Sequence, residues 1–126
     1  MATKPDDVFS KYAPYVAFAR QQAALRQEQA AARYQAAWHT AGQVADFLRQ
    51  RYQPHEIIVF GSLVHPEIFG LHSDIDIAVR GIAWPDYLRA WNEVETLFPA
   101  FEIDLIDIST VSDLMCQRIK EEGHHL

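Results

Sequence analysis

The chain has 126 residues, a formal net charge of −6 and 49% hydrophobic residues. These values are typical of one globular domain with a modest core. The acidic balance disfavours DNA and long RNA as partners, because nucleic-acid binders gain affinity from clustered Lys and Arg. No apolar stretch reaches the roughly 20 residues that span a bilayer, and the N-terminus has no apolar signal core. We therefore expect a cytoplasmic protein without a membrane partner, in keeping with its single cysteine, Cys116.

The N-terminal half is predicted to be mostly one long helix. Residues 1–15 contain Pro5 and Pro14, which predict a flexible leader ahead of that helix. Residues 16–52 are rich in Ala, Gln and Arg, a composition that favours helix. The stretch from Arg20 to Arg33 would bury little, so we expect it to project or to pack on a partner. The following apolar residues recur at spacings of three and four: Tyr34, Trp38, Ala41, Ala45, Leu48 and Tyr52.

After Pro54 the pattern changes to strands alternating with helices. Residues 57–60 are β-formers without a polar face, which predicts a central strand. Residues 74–79 alternate as a second strand, 85–98 form a helix, 101–108 form a third strand, and a last helix follows. The predicted fold class is α/β (α+β), a small mixed sheet of three or four strands with packed helices, in a domain spanning 16–126.

Two aspartates share one face of the predicted second strand. Asp74 and Asp76 alternate there with isoleucines, which places both carboxylates on the same side, about 6 to 7 Å apart. Like charges that close cost stability unless a cation lies between them, and carboxylate oxygens suit Mg²⁺. The pair alone is a weak signal, because such a pair more often marks a solvated strand face.

Two further features point to phosphate chemistry. Gly61-Ser62 ends the first strand, where glycine lets the backbone approach a phosphate and the serine donates hydrogen bonds. Asp104 interrupts an apolar stretch of the third strand, where a carboxylate has no structural use unless it is paired or binds metal. If the three strands lie side by side, the three aspartates and the Gly-Ser turn would form a two-metal phosphoryl-transfer site.

The chain resembles a known family at these residues. Phe60-Gly61-Ser62, followed after eleven residues by Asp74-Ile75-Asp76-Ile77, resembles the hydrophobic-Gly-Ser and Asp-x-Asp motif of the polymerase-β-like nucleotidyltransferases. The closing segment, 101–126, is similar to that of the minimal (MNT) branch, in which a third aspartate precedes one helix and a short tail. The resemblance covers roughly residues 44–126 and implies the polymerase-β-like fold with an added N-terminal helix.

The resemblance also implies a function. Gly61 and Ser62 would hold the β- and γ-phosphates of ATP, and Asp74 and Asp76 would ligate two Mg²⁺ ions. Asp104 would complete the metal site and help to deprotonate the acceptor. Many minimal members are antitoxins of HEPN-domain ribonuclease toxins, and the better-understood ones transfer AMP to a tyrosine of the toxin. The implied activity is therefore AMP transfer from ATP to a hydroxyl of such a partner.

The chain departs from the family pattern after the Gly-Ser turn. Many relatives carry a basic residue there, whereas this chain has Leu63 and Val64. His65 is the first residue that could meet a phosphate. Arg80 shares the strand face of the two aspartates and is an alternative cation, although the pattern favours a surface arginine at a strand end.

Other polar and aromatic residues have simpler interpretations. Asp107 has the opposite strand parity from Asp104 and is expected to end the strand or cap the next helix. Glu102 is expected to be exposed at the strand start. His72, like His65, is expected to be a solvated loop histidine, and His124 and His125 are expected to belong to a tail without a role. The tryptophans are expected to be core or interface aromatics: Trp38, Trp84 and Trp91.

Two other functions stay open. A non-catalytic antitoxin that neutralises its toxin by contact is favoured by the missing basic residue and by the Ala/Gln-rich helix as a docking arm. Transfer to a small molecule such as an aminoglycoside uses the same chemistry, but it would need an acceptor domain, which a dimer could form between its subunits.

Overall fold

The computed structural model describes residues 5–126, in which helix α1 spans Pro5–Arg51. The prediction of a leader over residues 1–15 is therefore wrong for 5–15, which are helical; residues 1–4 lie outside the described part. Pro5 is tolerated because a first-turn residue needs no intrahelical N–H bond, and Pro14 costs roughly 3 kcal/mol in a segment rich in helix-forming residues. The flexibility of this segment stays a prediction.

Helix α1 has an exposed N-terminal arm and a packed C-terminal half. Nearly all side chains from Ser10 to Gln29 are exposed. Packing begins near Arg33, and the predicted apolar stripe is confirmed, with partly buried aromatics along it. Its fully buried positions recur at helical spacing: Ala37, Ala41, Val44, Ala45 and Leu48. We name residues 10–29 the arm.

Four strands form one mixed sheet in the order β3-β2-β1-β4. Strand β1 spans Glu56–Phe60, β2 spans Ile75–Arg80, β3 spans Ile103–Asp107 and β4 spans His124–His125. Strand β2 pairs antiparallel with β1 and parallel with β3. The parallel pair requires a crossover, which helix α2 (Trp84–Leu97) supplies. The predicted mixed sheet with packed helices is confirmed.

Short helical segments complete the domain. A 3-10 turn, Gly61–Val64, follows β1 directly, and another, Ile108–Thr110, follows β3. Helix α3 spans Asp113–Glu122 and begins at the cap Ser112, whose hydroxyl accepts from Met115 N. Within residues 5–126, no helix combines the length and apolar character that a bilayer span requires.

The two faces of the sheet are covered unequally. Helices α1 and α2 pack on the face that carries Ile57, Ile75, Ile77 and Leu105, among other apolar residues of the main core. The opposite face is covered by α3, where Ile119 packs against a smaller cluster. Because strand side chains alternate between faces, Asp76 and Asp104 lie on the α3 side.

The chain end belongs to the sheet. His124 and His125 pair with Val59 and Ile58 of β1, and Leu126 N donates to Ile57 O at 2.9 Å. The ring of His124 also meets Trp38 edge-on, with centroids 5.2 Å apart. The prediction of a tail without a role is therefore wrong for these two histidines: their side chains are exposed, but their backbones pair with β1 as strand β4.

Candidate active site

Asp76 and Asp104 face each other across two parallel strands. The register pairs them directly, so their Cα atoms are separated by about one interstrand spacing, ~4.8 Å. Both side chains leave the same face of the sheet, near the starts of β2 and β3. The sequence analysis placed Asp104 inside an apolar strand and so predicted a buried carboxylate. The side chain is exposed instead, because β3 is an edge strand.

The electrostatics of Asp76 reflect this crowding. Partial burial, together with the neighbouring carboxylates of Asp104 and Asp74, raises the pKa of the Asp76 carboxyl to about 7. The Asp104 carboxyl also lies within hydrogen-bonding reach of Asp76. Two carboxyls in this arrangement can share a proton, or bind a cation that removes their repulsion.

Asp74 stands just before β2 rather than within it. It is partly buried, and its charge reaches Asp76. Even so, among the side chains that the structure describes, those of residues 10–126, no group of three or more His, Cys, Asp or Glu is already arranged to hold a metal ion. The facing pair fits a divalent cation by its oxygen donors and mutual repulsion. The predicted ligand set of Asp74, Asp76 and Asp104 therefore stays a prediction, in which Asp74 would turn toward the pair.

Gly61 joins the Gly-Ser turn to the aspartate pair. Its neighbour Phe60 is the register partner of Asp76, and Gly61 has φ +71°. A Cβ on Gly61 would overlap Oδ2 of Asp76, so only glycine permits this approach. The following turn is closed by His65 N, which donates to Ser62 O at 3.0 Å. Gly61 is thus adjacent to Asp76 in space, and Ser62 follows Gly61 in the chain.

The structure holds one of the two cations considered from sequence away from this turn. Arg80 donates from Nε to Glu56 at 3.1 Å, and that pair closes the other end of the β1–β2 ladder, four residues or about 13 Å from Asp76. The interpretation of Arg80 as a strand-end arginine is confirmed. His65 lies 3.5 Å from Glu67 in an exposed setting.

Helix α2 borders Asp104 with an apolar groove. The large apolar side chains of this helix are only partly core: Val94 is buried, whereas Trp84, Leu88 and Trp91 are 60, 50 and 42% exposed. The three exposed side chains line, together with Asp104, a cavity of about 360 Å³, which we call the aromatic groove. Exposed aromatics at helical spacing beside a carboxylate are typical of a binding surface rather than a core.

Arg33 is a residue that sequence reasoning missed. Its Nη2 donates to Ser73 O at 3.0 Å, and its guanidinium lies 4.5 Å from the ring centroid of Phe101. Arg33 thus joins helix α1 to the residues just before Asp74 and just before β3. An arginine in an Ala/Gln-rich helix gave no signal of this role, because its partners lie far away in the chain.

The remaining acidic candidates behave as predicted. Asp107 accepts from Ser109 N at 3.0 Å and caps the turn after β3. Glu102 is exposed and precedes β3.

Comparison with known proteins agrees with this geometry. A profile of the family described as "Polymerase beta, Nucleotidyltransferase" matches residues 42–126. Because that match covers most of the chain, the protein belongs to this nucleotidyltransferase family. No curated protein matches the chain.

Solved structures with the same fold come from toxin–antitoxin pairs. A toxin–antitoxin structure with AMP-PNP is 22% identical, with a TM-score of 0.56 over 68% of this chain and 70% of that one. A mutant toxin–antitoxin structure is 25% identical, with a TM-score of 0.55 over 68% and 69%. The pair MntA-HepT is 21% identical, with a TM-score of 0.52 over 70% and 69%. The similarity to the minimal branch seen in the motifs thus extends to the fold.

Proposed function

We propose that the protein is a Mg²⁺-dependent nucleotidyltransferase that transfers AMP from ATP to a hydroxyl, preferably of tyrosine, on a cognate HEPN-domain toxin, and so acts as an antitoxin. The observation that carries the proposal is the facing pair Asp76 and Asp104 beside Gly61. A carboxylate pair that repels itself, next to a backbone open to phosphate, suits the binding of a metal–nucleotide complex.

The residues have distinct roles in this proposal. Asp74, Asp76 and Asp104 would hold Mg²⁺, which neutralises charge on the phosphates when bound. Gly61 and Ser62 would hold the β- and γ-phosphates. Asp104 would accept the proton of the acceptor hydroxyl as the hydroxyl oxygen attacks the α-phosphorus of ATP. The bond from that phosphorus to the bridging oxygen breaks, and pyrophosphate leaves.

The aromatic groove supports a protein acceptor. Asp104 is the exposed member of the pair and lines the groove together with Trp84 and Trp91. An acceptor with an apolar body and a hydroxyl tip would place its ring along the tryptophans and its oxygen at Asp104. Tyrosine has this form. The solved toxin–antitoxin structures, one of them with AMP-PNP, support both a toxin partner and a nucleotide.

The test follows the two ends of ATP. The full chain is incubated with Mg²⁺, the protein encoded beside it, and ATP labelled at either the α- or the γ-phosphate. We expect α-label on the partner, γ-label in released pyrophosphate, and neither with Asp76→Asn. Absence of α-label on the partner with the wild-type chain would contradict AMP transfer, and peptide mapping of labelled partner would identify the acceptor residue.

A second candidate, neutralisation by contact alone, is favoured by the arm. Tyr12, Tyr15, Phe18 and Leu25 are 52, 73, 62 and 43% exposed there. A helix with several large exposed apolar side chains is suited to docking on another protein. If the Asp76→Asn, Asp104→Asn double variant still silences the toxin fully, contact explains the activity; if silencing is lost while the complex persists, catalysis does.

A further inference from the structure

Helix α3 brings a cation to the Gly-Ser turn from a distant part of the chain. Arg118 and Gly61 line the same cavity of about 250 Å³, whose other lining residues are Phe60, Met115, Ile119 and Glu122. The cavity lies on the sheet face that carries Asp76 and Asp104, since Ile119 packs on this face. It therefore adjoins the candidate site on the side of the Gly-Ser turn.

The position directly after Ser62 cannot supply that cation. Leu63, the first residue after Ser62, is fully buried in the main core, where a basic side chain would be desolvated. Arg80 is held by Glu56 at the far end of β1. In the described part of the chain Arg118 forms no ion pair, so its guanidinium is available to an anion.

We propose that Arg118 binds the β- and γ-phosphates of the nucleotide and replaces the basic residue that this chain lacks after Ser62. This inference rests on the proposed function, because it assumes a triphosphate placed across Gly61. Phe60, Met115 and Ile119 give the cavity apolar walls, and a guanidinium–phosphate contact is a charge-assisted hydrogen bond, which is stronger than a neutral one. Arginine also offers paired donors that match phosphate oxygens.

Glu122 provides a second, opposite test of the same electrostatics. It lines the cavity one turn after Arg118 and would repel a polyanion. Removal of its charge should therefore tighten phosphate binding, whereas removal of the Arg118 charge should weaken it.

The experiment measures binding of Mg-ATP, Mg-pyrophosphate and AMP to the full chain by calorimetry. Arg118→Met keeps the apolar stem but removes the charge, Glu122→Gln removes the opposing charge, and Lys120→Met on the same helix is the matched control. We expect Arg118→Met to weaken ATP and pyrophosphate binding about tenfold or more, with AMP affinity nearly unchanged. Glu122→Gln should tighten both polyphosphates, and Lys120→Met should change neither.

Each contrary result has a definite meaning. If Arg118→Met weakens AMP as much as ATP, the cavity binds the nucleoside and the phosphate assignment is overturned. If wild-type and Arg118→Met chains bind ATP and pyrophosphate equally while the wild type still transfers AMP, this inference fails alone. If the wild type binds no ATP, the proposed function fails together with it. Because Arg118 is exposed, thermal unfolding should show that the variants remain folded.

Discussion

Gly61 lies so close to the carboxyl of Asp76 that a Cβ at this glycine would overlap Oδ2 of the aspartate. The contact links the end of β1 to the start of β2, and it holds the Gly-Ser turn against the candidate metal ligand. Its φ of +71° adds a second reason for glycine at this position.

Gly61→Ala should therefore lower the free energy of unfolding by about 1 to 3 kcal/mol, because it combines a steric overlap with a strained φ. It should also abolish ATP binding, since the turn must move away from Asp76. Gly42→Ala is the matched control: a Cβ there meets no atom within 4 Å, and alanine in a helix interior should stabilise by about 0.5 to 1 kcal/mol. Urea unfolding measures both, and equal stability of the two variants would contradict the packing described for Gly61.

The carboxyl of Asp76 predicts a pH dependence of stability. Its pKa rises to about 7 on folding, so between about pH 4 and 7 the folded chain binds more protons than the unfolded chain. The free energy of unfolding should fall as pH rises through this window. This stabilising contribution is complete below about pH 4 and is lost above the folded pKa.

Asp76→Asn should flatten that pH dependence in metal-free buffer and raise the free energy of unfolding by about 1 to 2 kcal/mol near pH 8. Exposed Asp86, on α2, gives the control Asp86→Asn. Mg²⁺ should stabilise the wild type near pH 8 more than it stabilises Asp76→Asn. Thermal unfolding across pH tests this, and parallel curves for wild type and Asp76→Asn would exclude the proposed crowding.

The aromatic groove predicts a separation of nucleotide binding from acceptor recognition. Trp84→Ala with Trp91→Ala should leave ATP affinity within about twofold, while transfer to the partner falls at least about tenfold from the loss of buried aromatic contact. Leu97→Ala is the control on the same helix, since Leu97 is 55% exposed but does not line the groove. A loss of transfer with Leu97→Ala as large as that of the tryptophan variant would place the acceptor elsewhere.

Arg33 predicts that helix α1 influences the site from outside the matched family region. Arg33→Met keeps the stem packed near Phe101 but removes the hydrogen bond to Ser73 O. We expect a loss of about 1 to 2 kcal/mol in stability and a lower transfer rate, because the backbone before Asp74 loses its anchor. Arg26→Met, in the exposed arm, is the control. An unchanged free energy of unfolding and an unchanged transfer rate for Arg33→Met would contradict the proposal that Arg33 anchors the backbone before Asp74.

Local sequence pattern predicted the elements well, and contacts between distant residues account for what it missed. The apolar run 57–60 and the alternation after Asp74 lead directly to β1 and β2. The exposure of Asp104 depends on which strand lies at the edge of the sheet. The alternation of residues along one strand does not predict the order of the strands. The exposure of Trp84 and Trp91 depends likewise on how α2 rotates on the sheet. Arg33 of helix α1 contacts Ser73 and Phe101, and Arg118 of helix α3 lines a cavity with Gly61, and both relationships join segments that are not adjacent in the sequence.

The central claim is that Asp76 and Asp104 bind a divalent cation together with the nucleotide. Its most direct test is electron paramagnetic resonance of Mn²⁺ binding to the full chain with a non-hydrolysable ATP analogue. We predict Mn²⁺ binding by the wild type and by Glu102→Gln, and an affinity at least about tenfold lower for Asp104→Asn, because a direct ligand is lost. Equal Mn²⁺ affinity of Asp104→Asn and Glu102→Gln would contradict the account.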